Sequence, residues 1–117
     1  PPDSKKARIT MVEKFAKDHS ITILLKGPTD IISNGTKTYI NPTNTPGMTV
    51  GGTGDILSGI IAGMLARNRN ALESAVISAY FNGLAGKSTQ KKLGSHMTAT
   101  DLLDALPGVM KSFDKIK

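Results

Sequence analysis

An α/β fold with a short strand set, a β-hairpin and a cluster of helices is what the sequence predicts, and three observations predict it. Ile21-Thr22-Ile23-Leu24-Leu25 is a nearly continuous β-branched and aliphatic run, the pattern of a buried strand. Asn34-Gly35 stands between two further strand-like runs, the strongest short signal for a hairpin. The glycine-rich stretch Gly51-Gly52-Thr53-Gly54-Asp55 runs straight into the helical pattern Ile56-Leu57-Ser58-Gly59-Ile60-Ile61 and begins a series of helices.

The elements follow in order. Ile9, Val12, Phe15 and Ala16 make one apolar face of a first helix, with lysines on the other face and Asp3 or Ser4 as its cap. The Ile21–Leu25 strand comes next, ended by Lys26-Gly27-Pro28, and its composition expects burial on both faces among parallel neighbours. The hairpin pairs Asp30–Ser33 with Thr36–Ile40. Pro42 to Gly52 reads as a loop in which Met48 anchors the glycine-rich segment from beneath.

A helix is expected over Thr53–Ala66, with Thr53 as N-cap, followed by the polar break Arg67–Asn70. Asn70 caps a longer helix, Ala71–Leu93, whose stripe is Leu72, Ala75, Val76, Ala79 and Tyr80. Gly83 and Gly86 inside it each cost about 1 kcal/mol against Ala, so close packing against another element is expected there. Thr98 and Asp101 have the spacing of a capping box with Asp in place of Glu, opening a helix through Leu102, Leu103 and Leu106. Pro107 is expected to kink or restart the chain before Val109, Met110 and Phe113. So few strands make a small free-standing sheet. With Pro1-Pro2 rather than Met at the start, residues 1–117 read as a single partial domain, the second half of a larger α/β unit.

Composition narrows the function. The net charge is +6, but the basic residues are dispersed among acidic ones, which suits attraction of nucleotides better than a nucleic-acid track. Aromatics are 4% and Trp is absent, so a base-stacking platform is not expected. Without Cys there is no disulfide framework, thiolate nucleophile or Cys metal site, and two separated histidines, His19 and His96, do not suggest zinc. No apolar run is long enough to span a membrane and no signal-peptide pattern is seen, so the cytoplasm is the expected location.

The chemistry centres on Gly51–Asp55. A helix start exposes backbone N–H groups and partial positive charge, and glycines let an anion approach closely. The segment is not a Walker loop, since no Gly-Lys-Ser/Thr follows, and its last glycine is misplaced for a dinucleotide fingerprint. Asp55 is positioned either as a general base or simply as a favourable charge at a helix N-terminus. Ser58 reads as a small packing residue, His96 as a surface residue, and Lys26 by itself as a solvated strand end.

The longer string Asn44 to Asp55, with Ile56-Leu57-Ser58-Gly59-Ile60, resembles the C-terminal half of the ADP/ATP-dependent NAD(P)H-hydrate dehydratases of the ribokinase-like superfamily. The resemblance extends to Leu24–Gly27 with Asp30–Ile32, to Ala79–Gly86 and to Met97–Leu103, in that order along residues 20 to 110. It implies a ribokinase-like three-layer fold and a nucleotide-dependent hydro-lyase that repairs hydrated NADH and NADPH. ATP or ADP would serve as co-substrate, with Mg2+. On this resemblance Asp55 meets the substrate hydroxyl, while Gly51, Gly52, Thr53 and Gly54 form the anion hole. Lys26, Gly27, Pro28, Thr29 and Asp30 line the nucleotide. Exposed apolar surface left by a missing first half implies a homo-oligomer. Asn82 and Lys87 depart from many relatives, which place His and an acidic residue there. The alternatives are a ribokinase-like small-molecule kinase, or a nucleotide-binding fragment without activity.

Overall fold

The chain, seen here as a computed structural model, is described over residues 4–42, 51–67, 69–111 and 113. Asp3, the Asn44–Val50 lead-in and Met48 lie outside these residues. Helix α1 (Lys5–His19) is followed by strands β1 (Ile23–Leu25), β2 (Asp30–Ser33) and β3 (Thr38–Asn41), then helices α2 (Thr53–Ala66), α3 (Ala71–Leu93) and α4 (Ala99–Lys111).

The start of α1 is fixed by Ser4, whose hydroxyl accepts a bond from Ala7 N at 3.1 Å. Val12 and Ala16 are buried as its pattern requires, but Phe15 is half exposed and stacks on His19 at a centroid distance of 4.0 Å. The expected apolar face is therefore narrower than the sequence pattern.

The three strands form one sheet in the order β1-β2-β3, antiparallel throughout. Within these residues Ile23–Leu25 has one neighbour, antiparallel β2, and the parallel neighbours expected for Ile21–Leu25 are not among them. β1 pairs with β2 in the register Ile23↔Ser33 and is half-buried among the described residues. The fully buried strand is β2. Its residues alternate between two helical covers: Ile32 packs with Ala75 and Ala79 of α3, while α1 covers the opposite face. There the Thr38 hydroxyl donates to Glu13 Oε2 at 2.6 Å. Helix, sheet and helix thus form three layers.

The hairpin is present, with β3 starting at Thr38 rather than Thr36. Asn34 Oδ1 accepts from both Thr36 N and Lys37 N, which closes the turn without extending the ladder. Gly35 has a φ of +90°, and a Cβ there would sit 2.7 Å from Lys17 Cα, so both the turn and the approach of α1 demand glycine.

Asn70 caps α3 as expected, accepting from Glu73 N at 2.8 Å. Ala75, Ala79, Gly83 and Gly86 are buried, whereas Tyr80 at the margin of the predicted stripe is exposed. The Thr98–Asp101 box is reciprocal: Thr98 N donates to Asp101 Oδ2 at 2.8 Å, and Asp101 N donates to Thr98 Oγ1 at 3.3 Å. The expected break at Pro107 is absent, because α4 continues through it. Leu102, Leu106 and Val109 carry the apolar spacing across the proline into one core cluster, and that packing holds the helix together.

Helix α2 joins two buried clusters. Its Leu57 and Ile61 pack with Ile32, Ala75 and Ala79. Its Ile56 and Ile60 pack with Ala85, Met97, Leu102 and Leu106. The N-terminus of α2 is consequently held from two sides by the body of the domain.

Candidate active site

Helix α2 begins where the sequence places it, but its N-cap is Gly52 rather than Thr53. Gly52 has φ 94° and ψ −15°, a left-handed conformation, and no side chain among the described residues caps the helix. A Cβ at Gly52 would lie 2.9 Å from Ala99 Cβ, so the tight turn and the neighbouring start of α4 both require glycine. Thr53 is buried and takes the first helical position, which is why it does not serve as the cap.

The first α-type bond of the helix is from Ile56 N to Gly52 O at 3.1 Å. The amides of Gly54 and Asp55 precede that bond and have no acceptor within the helix. Gly51 and Gly54 are exposed, and a Cβ at either meets nothing within 4 Å. Asp55 is exposed in the first turn of the helix. An anion can therefore reach these amides from solution, with a carboxylate beside it. Ser58 is exposed, not packed, and its hydroxyl donates to Gly54 O at 3.0 Å. His96 is an exposed residue, as expected.

The second predicted segment, Lys26–Asp30, is the turn joining β1 to β2. Asp30 is wholly buried and faces into the protein. Its Oδ1 accepts from Gly27 N at 3.2 Å and pairs with Lys26 Nζ at 3.3 Å. Its Oδ2 accepts from Asn41 Nδ2 at 3.0 Å, and the same amide nitrogen donates to Ala79 O at 3.0 Å. One carboxylate thus ties the turn to β3 and to α3. Pro28 and the Lys26 side chain remain accessible, and Thr29 is half-buried.

Two cationic residues that the sequence reading passed over border this turn. Lys5 and Arg8 of α1, with Pro28, Thr29 and Ile31, line a hollow of about 150 Å3. In the sequence they are indistinguishable from the solvated lysines of the same helix. Asn41 was also missed, because Ile40-Asn41-Pro42 reads as the start of a loop. Its role comes from the register Asp30↔Asn41, which places carboxylate and amide opposite each other.

The two segments stand on a common core. Ile32, two residues beyond Asp30, and Leu57, two beyond Asp55, share one hydrophobic cluster. As for a metal, no group of three or more His, Cys, Asp or Glu side chains among the described residues is arranged to hold one. A lone exposed Asp55 beside open amides fits Mg2+ only as an ion carried by nucleotide phosphates. No helix among the described residues is long and apolar enough to cross a membrane.

Fold and geometry together define a three-layer α/β protein with an exposed carboxylate beside open backbone amides at a helix start. The chain belongs to the NAD(P)H-hydrate dehydratase family, whose sequence profile it matches over residues 1–108. It is 58% identical over 117 residues to an ADP-dependent (S)-NAD(P)H-hydrate dehydratase of Cenarchaeum symbiosum, covering 100% of this chain and 41% of that protein. It is 60% identical over 116 residues to the protein of the same name from Nitrosopumilus maritimus, covering 99% of this chain and 40% of the relative. Its structure is similar to the ADP/ATP-dependent NAD(P)H-hydrate dehydratase of Bacillus subtilis co-crystallized with ATP/Mg2+. That likeness has a TM-score of 0.86 at 29% identity, covering 94% of this chain and 40% of the other. The chain therefore spans about two fifths of the length of the relatives it matches.

Proposed function

We propose that these 117 residues are the C-terminal part of a ribokinase-like domain that uses an adenine nucleotide to dehydrate hydrated NADH and NADPH. The observation that carries this reading is the exposed Asp55 in the first turn of α2, beside the acceptor-free amides of Gly54 and Asp55. Membership of the dehydratase family supplies the substrate class. ADP is the proposed co-substrate, since the relatives from Cenarchaeum and Nitrosopumilus are both named ADP-dependent.

A hydroxyl is a poor leaving group, and transfer of a phosphoryl group to it makes a good one. In the proposed reaction Asp55 accepts the proton of the ring hydroxyl as that oxygen bonds to the terminal phosphorus and the bond to the leaving nucleotide breaks. The C–O bond then breaks, phosphate departs with the oxygen, and loss of the neighbouring ring proton restores the double bond. The net change in the dinucleotide is loss of water. The backbone of Gly51, Gly52, Thr53 and Gly54 stabilises the charge on the transferring group. Mg2+, when bound with the nucleotide, would neutralise phosphate charge.

Lys26, Gly27, Pro28 and Thr29 are proposed to border the nucleotide, with Lys5 and Arg8 adding positive charge beside them. Asp30 belongs to this segment as the residue that holds it in shape from within. Self-association is proposed from exposed apolar side chains such as Leu65, Tyr80 and Phe113. The cytoplasm, where soluble dinucleotides are, is the proposed location.

The test is Asp55→Asn in the full-length protein, assayed by recovery of reduced dinucleotide from its hydrate with ADP. Turnover should fall by about 10²–10⁴-fold with the unfolding midpoint unchanged. Unchanged turnover would remove the base assignment. A stable phosphorylated product without regenerated dinucleotide would instead indicate a small-molecule kinase.

A further inference from the structure

Ser74, Ser78 and Asn82 recur every fourth residue along α3, and each is completely buried. The hydroxyl oxygens of both serines and both polar atoms of the Asn82 amide have no hydrogen-bond partner among the described residues. Isolated orphans of this kind are uncommon in a folded protein, because each is stripped of water without a replacing bond. Here four such atoms occur on one helix within two turns.

Their place in the fold narrows what satisfies them. Asn82 lies midway between Ala79 and Ala85, about 60° around the helix from each. Ala79 packs in the cluster containing Leu57 and Ile61 of α2, and Ala85 in the cluster containing Ile56 and Ile60 of α2. Asn82 thus lies on α3 between these two clusters, to both of which α2 contributes. Ser78 lies one turn earlier and about 40° further around, with Ser74 a turn beyond that. The seam is polar in a region where the flanking contacts are aliphatic.

We propose that this seam between α3 and α2 is a binding site for internal water, anchored by the Asn82 amide. A water molecule supplies both a donor and an acceptor and fits a buried polar site with two or more partners. Dry protein contacts leave all four atoms unmatched. Water bridging them pins α2 on α3 from below, at the helix whose first turn carries Asp55. The proposal concerns the helix pair and does not rest on the catalytic reading.

The experiment compares the full-length protein with Asn82→Leu and Ser78→Ala. Water–protein NMR cross-peaks from the Asn82 side-chain amide are expected in the unaltered protein, showing water held longer than surface hydration. Asn82→Leu should remove that site and lower Tm by about 4 °C, and Ser78→Ala should lower Tm by less. A rise in Tm in either variant, or no long-lived water at the Asn82 amide, would overturn the proposal: the seam is then dry, and removing an orphan helps. If Asn82→Leu does not fold, the sign of the Ser78→Ala shift and the cross-peaks decide.

Discussion

The turn Lys26–Asp30 and the loop Gly51–Asp55 both carry an aspartate close to the start of a regular element, yet they use it in opposite ways. Asp30 is buried and bonded to Gly27, Lys26 and Asn41, so its charge is spent inside the protein. Asp55 is exposed beside amides that no helix carbonyl satisfies. One carboxylate organises a surface, and the other is offered to it. Sequence neighbours alone do not separate these roles. What separates them is the β2–β3 register, which puts an amide opposite Asp30, and the exposure of Asp55 in the first turn of α2.

Substitution at the two aspartates breaks this comparison most sharply. Asp55→Asn, measured as above, carries the largest expected effect on turnover and almost none on unfolding. Asp30→Ala should do the reverse, lowering unfolding free energy by about 2–4 kcal/mol in denaturant titrations, because the Asn41 amide and the Gly27 N–H lose a buried charged acceptor. Equal stability of the two variants would end the distinction drawn here.

Gly52→Ala should cost about 1–2 kcal/mol from the left-handed backbone alone. Contact with Ala99 Cβ adds to that cost. The same unfolding titration with Ala99→Gly added should recover only the contact part. Full recovery would mean that backbone conformation at this cap is unimportant.

The smallest effect belongs to an ion pair remote from both regions. Lys14 Nζ lies 2.6 Å from Asp18 Oδ2 on the surface of α1. The bond and charge of Lys14 lower the Asp18 pKa, and Asp18 raises that of Lys14. The pair's contribution is present above the ordinary carboxylate pKa and is lost as pH falls through the lowered Asp18 value. At the alkaline end it is present below the ordinary lysine pKa and is lost as pH rises through the raised Lys14 value. Thermal scans of Asp18→Asn across pH should show a slightly flatter acid limb and no change in turnover.

Much of this fold was legible from local pattern. The helix over Thr53–Ala66 and the one over Ala71–Leu93 have the predicted bounds. Their ends are set by glycine, Asn70 and apolar spacing, all short-range signals. The misreadings share a different cause. Pro107 looked like a break because intrinsic propensity omits the packing of Leu102, Leu106 and Val109. Thr53 looked like the cap because Gly52 had already taken the left-handed turn.

The sequence by itself determined the helix start at Gly51–Asp55, since glycine freedom and helix periodicity act within a few residues. Through the resemblance of Asn44–Asp55 it also pointed to the dehydratase family. Only the tertiary structure decided that Asp30 is internal and Asp55 external, that Asn41 joins a sheet to α3, and that Lys5 and Arg8 border the β1–β2 turn. These facts depend on register and packing between residues distant in sequence, and burial is a property of the assembled layers rather than of any segment.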